Sequence, residues 1–310
     1  LHEAIPLTGT IASGTYDDNN IKTYSHGMFE SVYDYPYLSS SANHIFDITT
    51  GYASNSSLSG AAGGVQNSKK LNIYSQMAQV LVGYDATGSI QNFDQDGDIA
   101  GGGTKIKEPL FVNFSRLLTK DEMKKGSFSM SFLTGGTSAA RTHLMTVADH
   151  GAATSYKVNS PAGEYGILYT SSVGITANSG VGLVYYQAGV AIITGSIFST
   201  SSMGPGYSSG TYNALATGSN IEVMAKSFRN RLVDIDFNNT VELNSTVYFC
   251  RASHNEFNYS TNPTYLSQSQ IRVKNSTTDN PVSYVTTVGL YSSDNELLAV
   301  AKLSEPLKKD

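Results

Sequence analysis

The chain has 310 residues, and only 15% of them are Asp, Glu, Lys or Arg, well below the share of about a quarter in typical soluble domains. Its net charge of −5 and the absence of any long Lys/Arg run argue against nucleic-acid binding through phosphate neutralisation. No apolar run approaches the roughly 18 residues of a transmembrane helix, so we expect neither nucleic acid nor a membrane as partner.

The first 64 residues are polar and interrupted by turn-forming residues such as Ser13, Gly14 and Asp17. They contain too little apolar material to build a core of their own. We therefore predict that residues 1–64 form an extended N-terminal arm or a lightly structured lobe that becomes ordered on docking. On this prediction, removing them leaves a folded monomer that fails to assemble.

Residues 65–240 contain the clearest periodic patterns and are predicted to form an α+β core domain. Apolar residues at three- and four-residue steps predict one helix from Ser68 to Val82, and a second after a capping box at residues 219–222. Phe128, Met130 and Phe132 alternate with serines, as in a strand with one buried face. Further runs typical of strands cover residues 110–114, 143–148, 164–170, 182–186, 190–194 and 233–237.

Residues 241–310 read as a β-rich C-terminal segment that packs with the core. The single cysteine, Cys250, excludes an internal disulfide and lies in the apolar run 247–250, so we predict a buried and unreactive thiol. The whole chain is predicted to be α+β with a β majority. We expect mostly antiparallel sandwich-like or barrel-like sheets with two principal helices.

The low charge is compatible with two interpretations of equal weight. A surface of hydroxyls and amides is less costly to bury against a neighbouring protein than a surface of ions, which favours an assembly subunit. The same composition, with 29 glycines and 20 tyrosines, is also typical of a β-rich domain with many turns.

Several ordered phrases in the sequence resemble structural proteins of contractile-tailed, myovirus-type bacteriophages. They are spread over residues 65–307 and include KLNIYSQMAQ at 70–79, FSRLLTK at 114–120, GLVYYQAGV at 182–190, FNYSTNP at 257–263 and YVTTVGLYSSDNELLAVAKLSEPL at 284–307. The resemblance implies a structural role in the virion, in the tail or baseplate. It further implies a homo-oligomer that contacts other virion proteins after assembly in the host cytoplasm, and no enzymatic activity.

Two alternatives to a tail or baseplate role stay open. Within the structural class, the chain is a head, neck or capsid-decoration protein, which has a different set of neighbours in the particle. From another class, it is a receptor-binding or glycan-binding adhesin, because exposed tyrosine rings stack on sugars.

One acidic stretch has the spacing of a metal loop. Asp94, Asp96 and Asp98 alternate like the first ligands of a calcium-binding EF-hand. Ile99 and Lys105 stand where that loop requires a glycine and a bidentate glutamate. The stretch is therefore a candidate calcium site beside the alternative of a solvated acidic turn, and we expect no other cofactor.

No residue pattern predicts catalysis. The six histidines lack the H-E-x-x-H spacing of zinc hydrolases, and the Asp149–His150 pair has no G-x-S-x-G nucleophile motif to accompany it. The glycine-rich stretches 101–105 and 135–138 lack the spacing of a phosphate-binding loop. The sequence thus predicts a protein that is not an enzyme.

Overall fold

A computed structural model gives the fold of the chain. The residues that it describes are 18–61, 63–137, 140–172, 179–198, 211–241, 245–253, 256–257, 261–267, 270–271 and 283–309. The chain divides into two compact units, Leu1–Leu243 and Asn244–Asp310.

The described residues form an α+β fold with a β majority, 36% strand and 21% helix, which confirms the predicted class. The strands of the first unit are β1 (Ile21–Thr23), β2 (Glu30–Tyr33), β3 (His44–Thr50), β4 (Phe93–Asp94), β5 (Lys105–Ile106), β6 (Pro109–Phe114), β7 (Glu122–Met123), β8 (Ser129–Thr137), β9 (Ala140–Ala148), β10 (Tyr165–Leu168), β11 (Gly182–Tyr185), β12 (Val190–Thr194), β13 (Leu232–Asp236) and β14 (Asn239–Thr240). Its helices are α1 (Asn67–Leu81), α2 (Arg116–Thr119), α3 (Ala152–Ser155), α4 (Tyr212–Gly218) and α5 (Ile221–Arg231), with short 3-10 turns at Asp18–Asn20 and Gly195–Phe198.

A seven-stranded antiparallel sheet, in the order β1-β2-β3-β6-β12-β11-β10, forms the middle layer of the first unit. Successive side chains of β6 enter opposite hydrophobic clusters: Val112 lies in one and Phe111 in the other. Helix α1 packs in the cluster of Phe111. Helices α4 and α5 pack in the cluster of Val112, together with the small sheet β13-β8-β9. Both faces of the central strands are therefore buried.

The sheets are antiparallel, as predicted, and those within the described residues do not close into a barrel. Both predicted helices are present, although their caps differ from the prediction. Asn220, not Ser219, caps α5 by accepting a hydrogen bond from the Val223 N–H at 3.0 Å. Helix α1 begins at Asn67 without a side-chain cap.

A third helix of seven residues, α4, was not predicted. The Thr211 hydroxyl caps it by accepting from the Ala214 N–H at 3.5 Å. Seven residues make two turns at most, which is too short for a recognisable apolar stripe. Within the described residues, no helix has both the length and the apolar character needed to span a membrane.

The N-terminal region differs from the predicted arm. Strands β1, β2 and β3 belong to the central sheet, and residues 46–50 of β3 pair with residues 110–114 of β6. Val32, Phe46 and Ile48 are at most 1% exposed. The prediction of an arm is therefore wrong for residues 21–50, because these short strands complete a core that the rest of the chain supplies. Residues 1–17 lie outside the described part.

The second unit contains β15 (Leu266–Ser267), β16 (Gln270–Ile271), β17 (Ser283–Tyr291) and β18 (Leu297–Lys309), with a 3-10 turn at Pro263–Tyr265. Strands β17 and β18 form an antiparallel hairpin, which we call the C-terminal hairpin. Its turn contains Asn295 in the left-handed region, with φ of 61°, a conformation that asparagine tolerates better than most residues.

Candidate interaction surface

The acidic loop predicted as a calcium site is organised around a lysine. Asp94 on β4 pairs directly with Lys105 on β5, and the Lys105 Nζ lies 2.5 Å from the Asp94 carboxylate. The same ammonium donates to the carbonyl oxygens of Asp98 at 3.0 Å and Ile99 at 3.2 Å. The three oxygens that converge in this loop are therefore bound to the cation of a side chain.

The carboxylates of the loop also hold its backbone. Asp94 accepts from the Asp96 N–H, Asp96 from the Asp98 N–H, and Asp98 from the Gly101 N–H, at 2.9 to 3.1 Å. Burial raises the pKa of Asp94, and its contact with Asp96 raises it further. In the part of the chain that the structure describes, no group of three or more His, Cys, Asp or Glu side chains is placed to hold a metal ion. The calcium site stays a prediction without support from this geometry.

Asp149, considered above as a member of a catalytic triad, is a buried structural acceptor. Its carboxylate accepts from the backbone N–H groups of Gly126 at 2.7 Å and Phe128 at 3.0 Å, and from the Tyr186 hydroxyl at 2.8 Å. Burial raises the pKa of Asp149, and these hydrogen bonds oppose that shift. The carboxylate holds the turn before β8 against the sheet.

A buried lysine joins two helices. Lys70, on α1, is fully buried, and its Nζ donates to the carbonyl oxygens of Val65, Ala216 and Ser219 at 2.6 to 2.8 Å. The last two carbonyls lie at the C-terminal end of α4, where the helix dipole favours a positive charge. Burial lowers the pKa of Lys70 to about 8. The arrangement ties α1 to α4 and leaves no ammonium proton for a substrate.

Glu30, on β2, is the least satisfied of the buried ionisable groups. Its side chain is 1% exposed, and neither carboxylate oxygen has a hydrogen-bond partner among the described residues. Burial raises the pKa of Glu30 to about 7; the neighbouring Thr23 side chain and the Lys226 ammonium lower it, and the Glu222 carboxylate raises it further. No sequence pattern singles out this residue, because β2 itself was not predicted.

The second unit, by contrast, exposes large apolar side chains. Cys250 is exposed, so the prediction of a buried thiol is wrong, and the adjacent Phe249 is 96% exposed. In the C-terminal hairpin, the exposed large apolar residues are Tyr284, Val288, Leu290, Tyr291, Leu297, Leu298, Val300 and Leu307, each between 46% and 62% exposed.

These side chains lie on both faces of the C-terminal hairpin. On one face, Val288 and Leu290 stand opposite the small residues Ala301 and Ala299. On the other face, Tyr291 lies opposite Leu297. Soluble monomers seldom expose contiguous apolar surface of this kind, and such patches mark interaction sites. The hairpin is therefore the candidate interaction surface.

Comparison with known proteins does not add a family to this picture. No family model, no curated protein and no solved structure matches the chain.

Proposed function

We propose that the chain is a non-enzymatic structural subunit of a phage virion, located in the tail or baseplate, that acts by self-association and by contacts with other virion proteins. The phage setting comes from the sequence resemblance described above. The observation that carries the assembly role is the C-terminal hairpin, whose apolar side chains are exposed on both faces.

Burial of the apolar side chains of this hairpin against another protein is energetically favourable. An isolated two-stranded hairpin is at best marginally stable in water, whereas additional strands or a packed face stabilise it. Fully burying one Leu or Val side chain contributes roughly 1.5 to 3 kcal/mol. Covering residues such as Leu290, Leu298 and Leu307 in an assembly offsets the entropic cost of association.

The buried polar groups of the first unit support a structural role as well. Three of its ionisable side chains are engaged in holding the fold: Lys105 bonds to the acidic loop, Asp149 to backbone N–H groups and Lys70 to helix carbonyls. A general acid or base must instead direct its proton or lone pair at a reactant.

Cross-linking mass spectrometry of purified phage particles tests this proposal. Lys302, in the middle of β18, is exposed and reacts with amine-specific cross-linkers. We expect cross-links from Lys302 to a second copy of the chain or to another virion protein. Tail or baseplate neighbours support the proposed location, and capsid neighbours support a head, neck or decoration protein instead. Particles that lack the chain contradict the proposal.

An adhesin is the second candidate, because Tyr265, Tyr284 and Tyr291 are each about 60% exposed. Their rings are available for stacking on sugars. Saturable binding of the purified chain to host cells, while the chain stays monomeric, supports this alternative against the assembly role. Loss of that binding in the Tyr284→Ala variant would assign it to the hairpin.

A further inference from the structure

The two strands of the C-terminal hairpin have different edge chemistry. Strand β17 (Ser283–Tyr291) contains no charged residue and no proline. Strand β18 (Leu297–Lys309) contains Pro306 and the charged residues Lys302, Glu305, Lys308 and Lys309. Charged residues and proline are the means by which proteins keep exposed strand edges from pairing with another chain. The edge of β18 is thus protected, and the edge of β17 is open.

The open edge leaves backbone groups to be satisfied. Among the strands of the described residues, only β18 pairs with β17. In an antiparallel pair, alternate residues point their N–H and C=O groups away from the partner strand. Along a strand of nine residues, these groups form a row to which a further strand can bind.

We propose that β17 pairs with β17 of a second copy of this chain, which joins two hairpins into a continuous four-stranded antiparallel sheet around a twofold axis. This inference rests on the proposed assembly role and names its first partner. The resulting sheet places the two charged strands, one β18 from each copy, at the outside. It has the three or more strands that a sheet needs for independent stability.

The chemistry of β17 favours a second copy over an unrelated strand. A charged partner strand would place its ions beside neutral neighbours, where no opposite charge compensates their desolvation. Strand β17 is itself neutral and rich in aromatic and β-branched residues, including Tyr284, Val285 and Thr287. A twofold interface requires such a self-complementary surface, and an antiparallel strand pair provides it.

A matched pair of glutamate substitutions in the full chain tests the edge. Val288 and Ala301 are exposed, directly opposite each other and on the same face of the hairpin, but Val288 lies on β17 and Ala301 on β18. Sedimentation velocity over a concentration series measures the dimer dissociation constant. We expect V288E to raise it at least roughly tenfold, while A301E changes it less than about threefold.

A second variant distinguishes loss of the dimer from simple unfolding of the hairpin. Thr287 lies opposite Lys302, so T287E gains an opposite charge within its own hairpin. Thr287 is the middle residue of β17, so in a dimer paired about that residue T287E brings two glutamates together near the twofold axis. We therefore expect T287E to weaken association as V288E does.

Three other outcomes would overturn the pairing of β17 with β17. They differ in what they imply for the proposed assembly role. Equal weakening by V288E and A301E would assign association to a face of the hairpin. A wild-type chain that stays monomeric but is present in particles would assign the hairpin to a different virion protein, and the assembly role would stand. A monomeric chain that is absent from particles would overturn both proposals.

Discussion

The ammonium group of Lys70 illustrates how single residues hold this fold together. Three carbonyl oxygens bind it in a site that excludes water, and two of them terminate α4. Removing one partner of such a buried charged network leaves the remaining polar groups unsatisfied, which costs more than the net contribution of an ordinary hydrogen bond.

We therefore expect Lys70→Met to lower the free energy of unfolding by about 2 to 4 kcal/mol in urea denaturation. Lys69→Met is the matched control, because the neighbouring Lys69 is exposed and, among the described residues, its ammonium donates to a single carbonyl, that of His26. The control should stay within about 0.5 kcal/mol of wild type. Equal effects of the two substitutions would show that Lys70 does not link α1 to α4.

Glu30 gives the fold a pH dependence with a definite sign. Its pKa is raised from 4.5 to about 7, so the folded state binds the proton more tightly than the unfolded state. The stability contributed by protonated Glu30 is complete below about pH 4.5 and is lost as the pH rises through 7.

Glu30→Gln should remove this contribution to the pH dependence. Between pH 5 and 8, the stability of wild type relative to the variant should fall by on the order of 2 to 3 kcal/mol. Chemical denaturation at several pH values measures this difference. Glu296→Gln, on an exposed turn, is the matched control substitution. A constant difference between wild type and Glu30→Gln would contradict the buried position of Glu30.

At the scale of elements, the N-terminal strands are part of the core. Phe46 on β3 is fully buried, and its ring packs edge-on against Phe114 of β6 at 6.0 Å between centroids. Removal of residues 1–64 would take away three of the seven strands of the central sheet. The truncated chain should therefore lose cooperative unfolding instead of forming the stable monomer expected from the sequence.

Phe46→Ala tests the same point without truncation. Deleting a fully buried aromatic side chain leaves a cavity, so we expect a loss of about 3 to 5 kcal/mol in the free energy of unfolding. Tyr35→Ala serves as control because the Tyr35 side chain is 57% exposed. If both variants retain wild-type stability, the N-terminal segment is an independent arm and β3 does not belong to the sheet.

The sequence predicted the elements whose patterns are local. Helices α1 and α5 and strand β8 were found because their apolar residues repeat with helical or strand period over a continuous stretch. Strands β1 and β2 have three and four residues, and Glu30 breaks the apolar pattern. Their burial depends on a sheet that β6 joins more than 50 residues later, so no local window contains the signal.

The prediction of the polar sites was limited in the same way, because their partners come from other parts of the chain. The spacing of Asp94, Asp96 and Asp98 located the acidic loop, but the role of Lys105 as its cation depends on the pairing of β4 with β5. The apolar run around Cys250 indicated burial, yet the structure exposes it. Local hydrophobicity does not distinguish a side chain buried within its own chain from one available to a partner.

At the scale of the whole molecule, the two units differ in what they bury. The first has two hydrophobic clusters on the faces of its central sheet. The second has a hairpin whose apolar side chains are exposed in the free chain. This contrast supports a division of roles, in which the first unit provides a stable body and the second provides the surface for assembly.

Hydroxyl-radical footprinting of the hairpin, in the free chain and in purified phage particles, tests this division most directly because it reports side-chain exposure. Tyr284, Tyr291, Leu298 and Leu307 should be strongly oxidised in the free chain at low concentration and protected in particles, while Tyr35 in the first unit serves as an internal reference. Equal oxidation of the hairpin side chains in both states would contradict a role of this surface in assembly.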